Sequence, residues 1–246
     1  MSDTEMVGIP PDESLRRYVL EPLATAESTL DNEYEVVAAE KRAFEQFKER
    51  VVGMETVSDT AAMTTTRRSL SERRSRGAER VRSAFRETVM DVDHYDEVYG
   101  ESLIEHAEAE LSADIAAGLR RHAHLQFTYL YKQTLLAAVE AAIEQRETVC
   151  TTLASERDSL ARSRGRLRAL LDELDGTRVP AGSRAEFTGA LDEIASQRQE
   201  TVASRTGSPR ADGHDLCAYL YAECLWTYPV LTAVTRLRGA VTCVVT

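Results

Sequence analysis

The chain has 246 residues, with 30 Lys and Arg against 41 Asp and Glu, for a formal net charge of −11. That length allows one or two domains with a sizeable core, and 43% hydrophobic residues beside 29% charged ones exclude a wholly disordered chain. Six Pro and 12 Gly exclude a collagen-like or Pro-rich protein, and 32 Ala with only 6% aromatic residues point to helix rather than a large β-sandwich.

Met1 to Glu13 has no apolar run and no basic start, so no cleavable signal is expected there. Asp12 to Met54 predicts one long helix. Leu15, Val19, Leu23, Ala26, Leu30, Tyr34, Val37, Phe44, Phe47, Val51 and Met54 follow the three-and-four alternation of a helical seam, with one seven-residue step after Val37. Pro22 is expected to kink that helix or to mark its true start. Glu55 to Thr66 is rich in Thr and lacks period, which reads as a loop. Ser75 to Met90 reads as a shorter helix with Ala78, Val81, Phe85 and Val89 on one face. Asp91 to Gly100 is a turn-rich link, Glu101 to Leu111 is helical, and Ser112 can cap a further turn from Ala113 to Leu119.

The strongest periodic signal follows. From Leu125 to Leu174 there is no Pro, and Gly165 is the one Gly. Leu153, Leu160, Leu167 and Leu174 recur every seven residues, and Phe127, Leu130, Leu135, Val139, Ala142, Val149 and Leu170 extend the stripe. This is an a/d pattern, and coiled-coil-like packing is expected of it. Gly176 and the run Pro180–Ala181–Gly182 break the chain. Ser183 with Glu186 three residues on makes a capping box for the next helix, which carries Phe187, Leu191, Ile194 and Val202. Two helices around a short break predict an antiparallel hairpin. Thr206 to Gly213 is a second break, and the segment after it is the most apolar and aromatic, with Tyr219, Tyr221, Trp226 and Tyr228.

Few residues offer chemistry. Cys217 and Cys224 lie seven apart, without the second pair a zinc site needs, and read as small buried hydrophobes. The four cysteines form no CxxC, so a reduced, cytosolic state is the default. His122 and His124 point to different faces of a helix. His94 stands among Asp91, Asp93, Asp96 and Glu97 and reads as a solvated, partly protonated histidine. No phosphate-binding loop, nucleophile elbow, dinucleotide fingerprint or HExxH occurs, so no enzyme, cofactor or metal is expected. Arg67 to Arg86 holds eight Arg and two Glu, and Asp91 to Glu110 holds eight acids without a basic residue. Arg67, Arg68, Arg73, Arg74 and Arg76 are the candidate nucleic-acid contacts. The favoured reading is that the two blocks screen each other. Leu216 to Val234 has the length of a membrane span, but Glu223 at its centre and Pro229 argue for a buried cap instead.

Only three of the basic residues are Lys, at 41, 48 and 132. Acidity with so little Lys points to a salt-loving archaeon, whose carboxylate surface keeps protein soluble in concentrated salt. The run from Phe85 to Leu119 (FRETVMDVDHYDEVYGESLIEHAEAELSADIAAGL) and the block CAYLY…WTYPVL (Cys217 to Leu231) resemble the two recurring blocks of a haloarchaeal family of unknown function. With the heptad segment, the resemblance covers most of the chain from Leu15 on. It implies a halophilic, helical, uncharacterised protein and carries over no catalytic or ligand residue.

The sequence therefore predicts an all-α fold: an elongated antiparallel helical bundle or coiled-coil hairpin with a small helical insert and an aromatic C-terminal capping segment. Its segments are a long helix over 1–54, a loop and helical insert over 55–124, a coiled-coil hairpin over 125–206 and an apolar cap over 207–246, in one continuous domain. The expected function is a cytoplasmic helical scaffold or protein–protein interaction protein, with self-association through Leu153, Leu160, Leu167 and Leu174. The alternatives are a DNA-binding regulator using 67–86 and a membrane-anchored protein using 216–234.

Overall fold

The computed structural model describes residues 11–56, 67–120, 127–176, 183–204 and 216–243, and every regular element among them is helical. The helices are α1 (Pro11–Val52), α2 (Arg67–Arg86), α3 (Tyr95–Val98), α4 (Leu103–Glu110), α5 (Ala113–Leu119), α6 (Tyr129–Gly176), α7 (Ser183–Ser204), α8 (Leu216–Leu220) and α9 (Pro229–Cys243). The all-α reading is correct. The chain divides into two compact units, one of Met1–Tyr34 with Thr151–Thr246 and one of Glu35–Cys150. Each unit therefore takes a part of α1 and a part of α6.

In the unit of residues 35–150, α1 and α6 run antiparallel. Lys41 pairs with Glu147, and Lys48 Nζ lies 2.7 Å from Glu140 Oε1, so rising numbers on one helix meet falling numbers on the other. Phe44, Phe47 and Val51 of α1 and Leu135 and Val139 of α6 supply one side of the core. The short helices α2, α4 and α5 supply the other, through Val81, Phe85, Leu103, Ala107, Ile115 and Leu119. Phe47 and Phe85 meet edge to face at 5.2 Å, the offset that aromatic quadrupoles favour. Ser102 and Glu105 form a reciprocal capping box at the start of α4, and Ser112 accepts from Ile115 N to cap α5 as expected. Gly118 is there for space: a Cβ would sit 2.7 Å from Tyr131 Cε2. Tyr131 lies over that glycine and donates its hydroxyl to Ile115 O at 3.0 Å.

Helix ends in this unit are closed by buried or half-buried cations. Arg82 Nη1 donates to Leu119 O at 3.1 Å, at the end of α5. Lys132 Nζ donates to Val52 O and Met54 O, both at 2.7 Å, at the end of α1. Each satisfies carbonyls that have no partner inside their own helix.

In the unit of residues 1–34 and 151–246, α1 and α6 are again antiparallel, with Arg157 paired to Asp31, Arg164 to Glu27 and Arg16 to Asp172. Against α6 lies α7, tied by Arg166 Nη2 to Glu193 at 3.1 Å, and α9 packs on α7, where Arg238 meets Asp192. Leu153, Leu160 and Leu167 are fully buried within this single chain, and Leu174 is half-buried. The seam is thus filled by the chain's own helices. Self-association through it would require opening the fold.

Pro22 neither starts nor ends α1, which begins at Pro11, a first-turn position where proline has no hydrogen bond to lose. Within a helix, proline leaves the carbonyl four residues earlier without a donor. That carbonyl belongs to Tyr18, and Arg236 Nη1 of α9 donates to it. The same guanidinium lies 4.2 Å from the Tyr18 ring centroid and 4.5 Å from that of Trp226.

Three further expectations are corrected. The Arg-rich helix starts at Arg67, well before Ser75, because Arg, Leu and Glu, the residues of 67–74 other than Ser, are good helix formers even without an apolar face. The 216–234 stretch is not one helix. α8 ends at Leu220, and Pro229 opens α9 rather than breaking it. Cys217 and Cys224 therefore do not share a helix face. The loop at 57–66, the His122–His124 pair and the Ser183 cap fall outside the described residues or side chains.

Candidate functional site

The buried charges are the chain's chemically distinctive feature, and each sits where a seam position would otherwise be apolar. In α1 the seven-residue step between Val37 and Phe44 holds Glu40, which is 3% exposed. In α6, Arg146 falls between Ala142 and Val149, and Glu156 between Leu153 and Leu160. In α7, Arg198 follows Ile194 at the next turn. A lone buried charge costs several kcal/mol, so such residues must be paired and hydrogen-bonded.

The first node lies in the unit of residues 35–150. Glu40 Oε2 accepts from Arg146 Nε at 3.0 Å, and Oε1 accepts from the Tyr99 hydroxyl at 2.8 Å. His94 Nε2 lies 3.4 Å from the same Oε1. Arg146 Nη2 donates to Glu110 Oε2 at 2.8 Å, Nη1 donates to Ala142 O at 3.3 Å, and its guanidinium lies 4.4 Å from the centroid of the Phe44 ring. His94 is thus a member of a buried network rather than a solvated histidine among acids. Beside it, His106 Nδ1 lies 3.3 Å from Glu101 Oε2, with its ring edge-on to Tyr95, Tyr99 and Phe85. Burial, followed by the charges of Glu101, Asp96 and Glu105, pushes the Tyr95 phenol up to about 12, so it stays neutral.

The second node lies in the other unit. Arg198 grips Glu156 with both Nη atoms, at 2.9 and 2.6 Å. Their side chains are 1% and 0% exposed. Arg198 also donates to Ser159 Oγ and Cys217 Sγ, each at 3.2 Å, and the Tyr221 hydroxyl donates to Glu156 Oε1 at 3.1 Å. Burial works against the Arg198 charge, and the Glu156 hydrogen bonds and charge outweigh it, so its pKa moves up. Burial and the neighbouring carboxylate also push the Tyr221 phenol up. The node ties α6, α7 and α8 together through Glu156, Arg198 and Cys217. Cys150 and Cys217 are buried and Cys224 is half-buried. Among the described residues, no group of three or more His, Cys, Asp or Glu is placed to hold a metal ion.

The other candidates are placed as follows. Arg67, Arg68, Arg73, Arg74 and Arg76 all lie on α2, with side chains outside the described ones. Of the remaining α2 arginines, Arg82 is taken up by Glu79 and the end of α5, while Arg80 and Arg86 are exposed. Three acids of 91–110 bond outside α2: Glu110 to Arg146, Glu101 to His106 and Glu105 to Ser102. No described helix is long and apolar enough to cross a membrane. Glu223 is exposed, as a cap would have it, while Trp226 is half-buried under Arg236 rather than fully buried.

Sequence reasoning missed both charge nodes. The signal was present as the gap at Glu40 and as charges at seam spacing in α6 and α7.

These observations define an all-helical protein whose long helices are pinned by charges buried at seam positions. The chain belongs to the family described as a domain of unknown function (DUF7260), which matches residues 21–243. No curated protein and no solved structure matches it.

Proposed function

We propose that this protein is a non-enzymatic helical scaffold or protein–protein interaction protein, acting in the cytoplasm of a halophilic archaeon. The observation that carries the reading is the pair of charge nodes. Buried polar groups at seam positions select one register among those that an apolar stripe alone would allow. One register places the exposed charged faces of α1 and α6 at fixed positions, which is what a scaffold needs. The net charge of −11, with three Lys among 30 basic residues, supports the halophilic origin.

Affinity capture of the tagged full chain from a high-salt lysate tests the role. A protein recovered in fixed stoichiometry by light scattering, with no retardation of duplex DNA, is the expected result. Retarded DNA without a protein partner would overturn it. The origin is tested separately by circular dichroism. Helix content should fall when potassium chloride is lowered from molar to ~0.1 M, because exposed carboxylates then repel with a longer reach.

A DNA-binding regulator is the second reading, and the specific support for it is α2. Its sequence carries eight Arg and two Glu over twenty residues, and two of those arginines are exposed. On this reading DNA affinity falls steeply as salt rises.

A further inference from the structure

We propose that the unit of residues 1–34 and 151–246 binds a small phosphorylated anion in a groove between α1 and α6. The groove is open to solvent, has a volume of about 270 Å³ and is lined by Arg16, Arg17, Leu20, Glu21 and Ala24 of α1 and Arg168 of α6. Three arginines line it against one glutamate. Glu21 Oε2 is already engaged by Arg236 Nη1 at 3.3 Å, and Arg16 Nη2 is held by Asp172 at 2.6 Å. Arg17 and Arg168 make no ion pair or hydrogen bond among the described residues.

That contrast carries the inference. In the same unit Arg157, Arg164, Arg166, Arg198 and Arg238 each hold an acid, whereas Arg17, Arg162 and Arg168 hold none among the described residues, and two of these three line the groove. The chain has more acids than bases by eleven charges, so acids are plentiful, yet the two arginines lining this groove are left open. A guanidinium fork presents parallel N–H groups that match the oxygens of a phosphate. Leu20 and Ala24 give the body of the ligand an apolar floor. The volume lies just below the range of drug-sized pockets, which suits one small phosphorylated molecule.

The single Trp provides the readout. Trp226 stacks on Arg236, which contacts Glu21 at the groove. Titrating the full chain with inorganic pyrophosphate should change Trp fluorescence saturably, with calorimetry giving the same affinity. Arg17→Gln with Arg168→Gln should weaken binding by about tenfold or more, since each charge-assisted hydrogen bond supplies about that factor. Arg162→Gln, an exposed α6 arginine outside the groove, should leave it unchanged. Circular dichroism should show the double variant to be folded. If it is not, Arg17→Lys with Arg168→Lys decides, and should bind more weakly than the parent because the fork is lost. A duplex oligonucleotide at equal phosphate concentration should not displace pyrophosphate. The proposal is overturned by a flat titration in both assays, by unchanged affinity in the substituted variants, or by displacement by the duplex.

Discussion

Replacing Arg198 by Met tests the most deeply buried charge pair. The substitution keeps an unbranched side chain of similar reach but removes both hydrogen bonds to Glu156 and those to Ser159 and Cys217. Glu156 then keeps the Tyr221 hydroxyl in a site where its side chain is 0% exposed. Breaking a buried pair from one side costs about 3–5 kcal/mol, which at ~2–4 °C per kcal/mol for a chain of this size lowers Tm by roughly 6–20 °C. Glu156→Leu alone strands the guanidinium and should cost a similar amount. The double variant removes both charges together and should return to within about 2 kcal/mol of the parent, because neither desolvation penalty then remains. The assay is thermal melting by circular dichroism at one fixed molar concentration of potassium chloride. Arg238→Ala serves as the reference, since its pair with Asp192 is exposed and pairs of that kind contribute less than ~1 kcal/mol. If Arg198→Met costs no more than that reference, or if the double variant is as unstable as the singles combined, the node is hydrated and the register argument fails.

Three further outcomes are expected. Leu160→Ala should destabilise by about 2–5 kcal/mol in chemical denaturation, because Leu160 is 0% exposed and the site cannot fully collapse; an unchanged midpoint would mean that the leucine stripe faces water. Arg236→Met should cost about 0.5–1.5 kcal/mol by removing the donor to the Tyr18 carbonyl. The cost should shrink in a Pro22→Ala background, where a backbone N–H is restored, and equal costs in both backgrounds would refute the capping role. Burial raises the Tyr131 phenol to about 12, above its unfolded value near 10. Its contribution is therefore whole below about pH 10 and is lost as pH climbs through 12, by about 2–3 kcal/mol at ~1.4 kcal/mol per unit. Tyr131→Phe should flatten that alkaline loss in a pH-dependent melt, and a slope equal to the parent's would place the titrating group elsewhere.

The helices themselves were legible because periodicity is a local property. Val19, Leu23, Leu30 and Phe44 recur at helical spacing, and Leu153, Leu160 and Leu167 at heptad spacing, whatever they pack against, and all are buried. Ser112 acts as a cap through its own neighbouring backbone, so it too could be read in advance. What periodicity cannot state is which stripe covers which. The leucine seam suggested a partner chain, and the fold covers it with its own helices. Glu40 and Arg146, and Glu156 and Arg198, are far apart in sequence, and each interrupts the apolar stripe of its own helix. Only the tertiary structure sets one defect against the other and makes both affordable. Pro22 follows the same logic. Its missing hydrogen bond is a local fact, but the donor that replaces it comes from Arg236, more than two hundred residues along the chain. Helix formation answers to the nearest four residues, whereas the cost of a buried charge or an orphaned carbonyl is set by whatever group the fold brings within about 3 Å.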